Sequence, residues 1–205
     1  MREEAQIIAG RLEGTLRIPD GLVTGIVVIA HPLPTHGGTM RNPLIALLAR
    51  VAADRGWYAL RFNFRGVGAS KGDWSGGALE HHDLADAVAH ARGVAPSLRL
   101  GVVGFSFGAL TTLRWLASGG RPETYALLGL PLRSETGEPH AQMPPVPDGA
   151  FVVNGSNDEF ATAAEIRAAY PRAAVVAIPE TDHFFTGKRD EMAGVVMDHL
   201  ALTLP

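Results

Sequence analysis

The sequence predicts an α/β fold: a mostly parallel central sheet with helices on both faces, in a single domain covering residues 1–205 with no cap domain. Three observations carry this. Short apolar runs rich in β-branched residues alternate with amphipathic stretches of helical period, the pattern of strands joined by crossover helices. The run "GIVVIA", residues 25–30, has no polar position and reads as a strand buried on both faces. No repeat, low-complexity tail or shift of composition in the 205 residues marks a second unit.

The elements follow in order. "QIIAGRLEGTLRIP" predicts a strand pair or long hairpin, broken near Gly14 and closed by the "PDG" turn. After "GIVVIA" comes a helix over "RNPLIALLARVAADRG", stopped at Gly56, with Thr39 as a plausible N-cap. "WYALRFNF" is a strand, and "ALEHHDLADAVAHARG" a helix whose buried face is Leu84, Ala87, Val88 and Ala91. "LRLGVVGF", "TYALLGL", "GAFVVNG" and "AAVVAIP" are further strands. "GALTTLRWLASGG", "ATAAEIRAAY" and "RDEMAGVVMDHLALTL" are helices. Residues 131–149, polar and proline-rich, form a loop too short for a lid, so an open site is expected.

Composition narrows the chemistry. The net charge is −3, from 18 basic and 21 acidic residues, and no basic stretch could grip a phosphate backbone, so a nucleic-acid partner is not expected. Without cysteine there is no disulfide, thiolate nucleophile or thiolate metal site. No apolar run approaches the ~20 residues of a membrane helix. The N-terminus "MREEAQIIAG" lacks a signal-type apolar core, so a cytoplasmic location is expected. His82, Asp86 and His90 share a helix stripe that could hold a metal, but the apolar positions turn it toward solvent. No metal and no cofactor are expected; oligomeric state is open.

"VVGFSFGAL" places Ser106 between Gly104 and Gly108, after a strand and before a helix. A sharp turn there would hold the serine in an unfavourable backbone conformation and expose its hydroxyl at the C-terminal edge of the sheet. Two glycines remove side chains that would collide two residues either side. A serine needs a base, and the base an orienting acid. His183, in "PETDHFFTG" after the last strand, leaves from the same edge. Asp158, in "NGSNDEF", follows the preceding strand. Asp182 is adjacent to His183 and would point away from it; Glu180 is a weaker alternative for the acid. The order Ser106, Asp158, His183 matches strand-loop-helix frames throughout.

With "HPLPTHGGTMRN", "LRFNFRGVGASKG", "GFSFGA", "NGSND" and "DHFFTGK" in place, the chain resembles the α/β-hydrolases, and among them the small lidless dienelactone-hydrolase-like bacterial proteins. The resemblance runs over nearly the whole length. It departs from true dienelactone hydrolases, which use cysteine, and from the dehalogenases and epoxide hydrolases of the fold, which place Asp at the elbow. What it implies is a Ser-His-Asp serine hydrolase acting through an acyl-enzyme on a small-molecule acyl substrate, a carboxylic ester first. A peptidase or amidase, or a catalytically silent binding protein of this fold, are the alternatives. The oxyanion would be held by the backbone N–H of Phe107 and of Leu33. Leu33 is the lone donor between Pro32 and Pro34, which have no N–H. Leu33, Trp74, Phe107, Leu132, Phe184 and Phe185 are candidates for apolar lining.

Overall fold

The computed structural model describes residues 1–134, 136–140 and 143–205. Among these residues eight strands form one sheet: β1 (Arg2–Ile8), β2 (Leu12–Ile18), β3 (Gly25–Ala30), β4 (Trp57–Phe62), β5 (Arg99–Phe105), β6 (Thr124–Leu128), β7 (Phe151–Gly155) and β8 (Ala174–Ile178). Five helices accompany them: α1 (Pro43–Asp54), α2 (Glu80–Val94), α3 (Phe107–Ala117), α4 (Ala163–Ala169) and α5 (Arg189–Ala201). The spatial order is β1-β2-β4-β3-β5-β6-β7-β8. Strand β2 runs antiparallel to both neighbours, and every pair from β4 to β8 is parallel.

Strand β3 explains why its sequence has no polar position. Its alternate residues face opposite cores: Val27 and Ile29 pack with α1 and α5, Ile26 and Val28 with α2 and the start of α3. A third cluster joins α3 and α4 to β6 and β7 through Leu110, Leu113, Leu127, Val152 and Ile166. The chain's progress across the sheet reverses around β3: β4 lies on one side of it and β5 on the other. The loops leaving β3 and β5 therefore diverge at a switch point, where a crevice forms at the C-terminal edge.

Local expectations needed correcting in two places. Gly14 does not break the hairpin. The turn is at Ala9 and Gly10, both at positive φ, and Gly14 sits inside β2 opposite Gln6. A Cβ there would lie 2.8 Å from Ile8 Cδ1, so this glycine makes room for packing. Nor is Thr39 the cap of α1. Asn42 holds that position, accepting from the Leu44 N–H at 2.9 Å with Pro43 at the first helical position. Thr39 accepts instead from the Arg41 N–H, within the loop.

On α2 the apolar face is as expected, but two acids share it. Asp83 is fully buried and receives the guanidinium groups of Arg65 and Arg11. Glu80, also buried, accepts from the N–H and hydroxyl of Ser75. Together they fix the glycine-rich loop that follows β4. Asp86 of the supposed metal stripe is turned to Arg11 and His90 to Gln6.

Candidate active site

Ser106 caps the junction of β5 and α3 with φ 55° and ψ −115°, a left-handed conformation costly for any residue with a Cβ. The surroundings over-determine it. The Ser106 N–H donates to Leu128 O at 2.8 Å. A Cβ on Gly104 would lie 2.3 Å from Gly108 O, and one on Gly108 2.3 Å from Ala30 O. Both glycines are demanded by close approach, so the elbow is wedged against the exit of β3.

His183 Nε2 lies 2.9 Å from Ser106 Oγ, and its Nδ1 lies 2.9 Å from Asp158 Oδ2. Asp158 is buried at the exit of β7, and N–H donors reach both its oxygens: Phe160 and Ala161 on Oδ1, the Asn154 side chain on Oδ2. Nδ1–H of His183 therefore donates to Asp158, and Nε2 turns its lone pair to the serine hydroxyl. The imidazole is 3% exposed and held between the rings of Phe105 and Phe160. Asp182 points away, as adjacency implied: it accepts from the N–H groups of Phe184 and Thr186. Glu180 is exposed.

The structure brings Leu33 and Phe107 to the same cavity as Ser106. Phe107 is the first residue of α3, where a backbone N–H has no intrahelical acceptor. Leu33 precedes a short 3-10 turn, Pro34–His36, and its carbonyl accepts from the N–H groups of His36 and Gly38. Gly38 is packed so closely under this turn that a Cβ would lie 2.1 Å from Pro32 O.

One residue here was not assigned a role from sequence. His31 is fully buried. Its Nε2 accepts from the Phe64 N–H at 3.2 Å, which leaves Nδ1–H to donate to Pro32 O at 2.7 Å. Burial pushes its pKa down to about 4. The only available signal was its place at the end of an all-apolar strand, where an uncharged polar side chain must find backbone partners.

The cavity holds about 330 Å³ and is walled by Leu33, Phe107, Leu110, Pro131, Phe160 and Phe184, with Asn42, Arg133 and His140 as polar lining. Three expected lining residues lie elsewhere. Trp74 packs edge-on against the Phe107 ring at 5.0 Å. Leu132 packs against the cluster under α3 and α4. Phe185 is wholly buried against α5, because the loop turns at its positive φ and sends neighbouring Phe184 outward instead. Among the described residues the β6–β7 connection carries no helix over the opening. No described helix is long and apolar enough to cross a membrane.

No family model matches the chain. Solved structures do. An α/β serine hydrolase without a lid from Xanthomonas campestris is 27% identical with a TM-score of 0.84, covering 100% of this chain and 96% of that one. An α/β serine hydrolase homologue from Coxiella burnetii is 26% identical at a TM-score of 0.81, covering 97% of each. An esterase from Pyrococcus furiosus, at 17% identity and a TM-score of 0.74, covers 100% of this chain and 93% of its own, a likeness of fold alone. By its sheet order and these likenesses, the chain has the fold of the small lidless α/β serine hydrolases.

Proposed function

We propose that the protein is a serine esterase that cleaves small carboxylic esters through an acyl-enzyme. One observation carries the reading: the unbroken hydrogen-bonded chain from Ser106 Oγ through the His183 ring to Asp158, opening into an apolar cavity. Ser106 attacks the acyl carbonyl while His183 Nε2 takes its proton, and Asp158 holds the ring and steadies its positive form. The oxyanion settles between the N–H groups of Phe107 and Leu33. His183 then returns the proton to the departing alcohol. Water, deprotonated by His183, attacks the acyl-enzyme and releases the acid.

A cavity of about 330 Å³ stands at the low end for ligand sites. Its apolar walls suit a compact hydrocarbon or aromatic acyl group. Among the described residues no helix covers the opening, which leaves the alcohol side open to solvent. A cytoplasmic address and a small-molecule partner fit this reading.

The test is labelling by a fluorophosphonate followed by a panel of p-nitrophenyl esters, thioesters and anilides. Wild type should label at one serine and turn over short esters fastest. Ser106→Ala should lose labelling and at least ~10³-fold in kcat. Turnover by that variant at the wild-type rate sinks the mechanism. A preference for anilides would make the protein an amidase.

A further inference from the structure

We propose that Asn154, the penultimate residue of β7, is a positioning residue of the triad, locking the acid and the exit of β6 together around His183; this rests on reading Ser106, His183 and Asp158 as that triad.

Asn154 is fully buried at the sheet's C-terminal edge. Its Oδ1 accepts from the Leu130 N–H at 3.0 Å, and since a backbone N–H only donates, the amide's orientation is fixed. Its Nδ2 then faces three acceptors: Ala161 O at 2.8 Å, Leu130 O at 3.3 Å and Asp158 Oδ2 at 3.3 Å. Asp158 Oδ2 is also the oxygen that receives His183 Nδ1. One amide thus touches the acid's working oxygen, the carbonyl of the residue whose N–H binds the acid's other oxygen, and both main-chain groups of Leu130.

Leu130 follows Gly129, whose backbone lies against the imidazole: a Cβ on Gly129 would approach His183 Cε1 to 3.0 Å. The ring is therefore bounded by Asp158 at Nδ1 and by the Gly129 backbone near Cε1, and Asn154 binds the first directly and reaches the second through Leu130, the next residue along the chain. A carboxylate in its place could keep the Leu130 acceptor. It would turn an oxygen toward three acceptors, and when ionised would set a second negative charge beside Asp158. That charge favours protonated His183.

The experiment follows kcat and KM against pH for wild type and Asn154→Asp, with folding checked by circular dichroism and Tm. The acid limb of kcat/KM should move up by about one pH unit, with kcat at pH 7 down about tenfold and KM unchanged. A folded variant whose acid limb superposes on wild type overturns the proposal, because a merely structural loss lowers Tm without moving that midpoint. If the variant does not fold, wild type still decides. The side-chain amide resonances of Asn154 should shift over the same pH range as the His183 ring, and a flat response overturns the proposal. Fluorophosphonate labelling of wild type runs alongside: no labelling defeats the triad reading itself, whereas a labelled protein with an unmoved variant profile defeats only the role of Asn154.

Discussion

Two buried histidines leave the same sheet edge, and their loops give them opposite characters. His183, after β8, meets a carboxylate at Nδ1 and a hydroxyl at Nε2. His31, after β3, meets a backbone carbonyl at Nδ1 and a backbone N–H at Nε2. A proton arriving at His183 finds a counter-charge beside it. A proton arriving at His31 would have to displace the Phe64 N–H, with burial opposing the charge. Similar burial and the same side chain therefore leave one ring with the contacts a proton carrier needs and the other with those of a neutral strut. What separates them is the partner, not the residue.

The sharpest way to break that contrast is to replace each ring by the same amide. His183→Gln removes the base and should cost about 10⁴-fold in kcat while the fold survives. His31→Gln keeps an acceptor near the Phe64 N–H, and its loss in kcat should stay below about 10²-fold. Steady-state kinetics on a p-nitrophenyl ester compares them directly. Equal losses would mean that His31 takes part in proton transfer.

Much of this site could be read from the sequence because it obeys local rules. Glycines flanking Ser106 and strand exits before Asp158 and His183 are signals within a few residues of the chemistry. The strand order, the partners of His31 and the role of Asn154 have no such local signature. Each is a contact between segments far apart in the chain, as between His31 and Phe64 or Asn154 and Leu130. Phe184 and Phe185 show the same limit: two adjacent identical residues, one 45% exposed and one wholly buried, separated only by a turn at positive φ. Gly14 failed for a related reason. A glycine that breaks a strand and one that admits Ile8 look the same until the partner is placed.

A smaller effect tests the strut from its far side. If His31 serves to aim the Leu33 N–H, deleting that donor should matter more than loosening its support. Leu33→Pro removes the N–H and should lower kcat about 10²–10³-fold with KM little changed. Proline's fixed φ suits the site, since Leu33 already sits at φ −53°. Unchanged turnover in the folded variant would take Leu33 out of the oxyanion site and leave His31 supporting nothing catalytic.

The smallest effect on catalysis is the one that isolates His31 thermodynamically. Folded, its pKa is about 4; unfolded, it returns to about 6.5. Between those values the unfolded chain binds the extra proton, so stability is full above the upper value and falls as pH drops through the window. The complete loss is on the order of 3 kcal/mol. His90 and His199 are also held below their ordinary range by burial and add slopes of the same sign, so a single wild-type curve cannot assign the effect. The difference between wild type and His31→Gln can. Urea midpoints from pH 7 to pH 4.5 should converge as pH falls, because the variant carries every slope except that of His31. Parallel curves would mean that His31 takes up its proton as readily in the folded protein as in the unfolded chain, and its contrast with His183 would collapse.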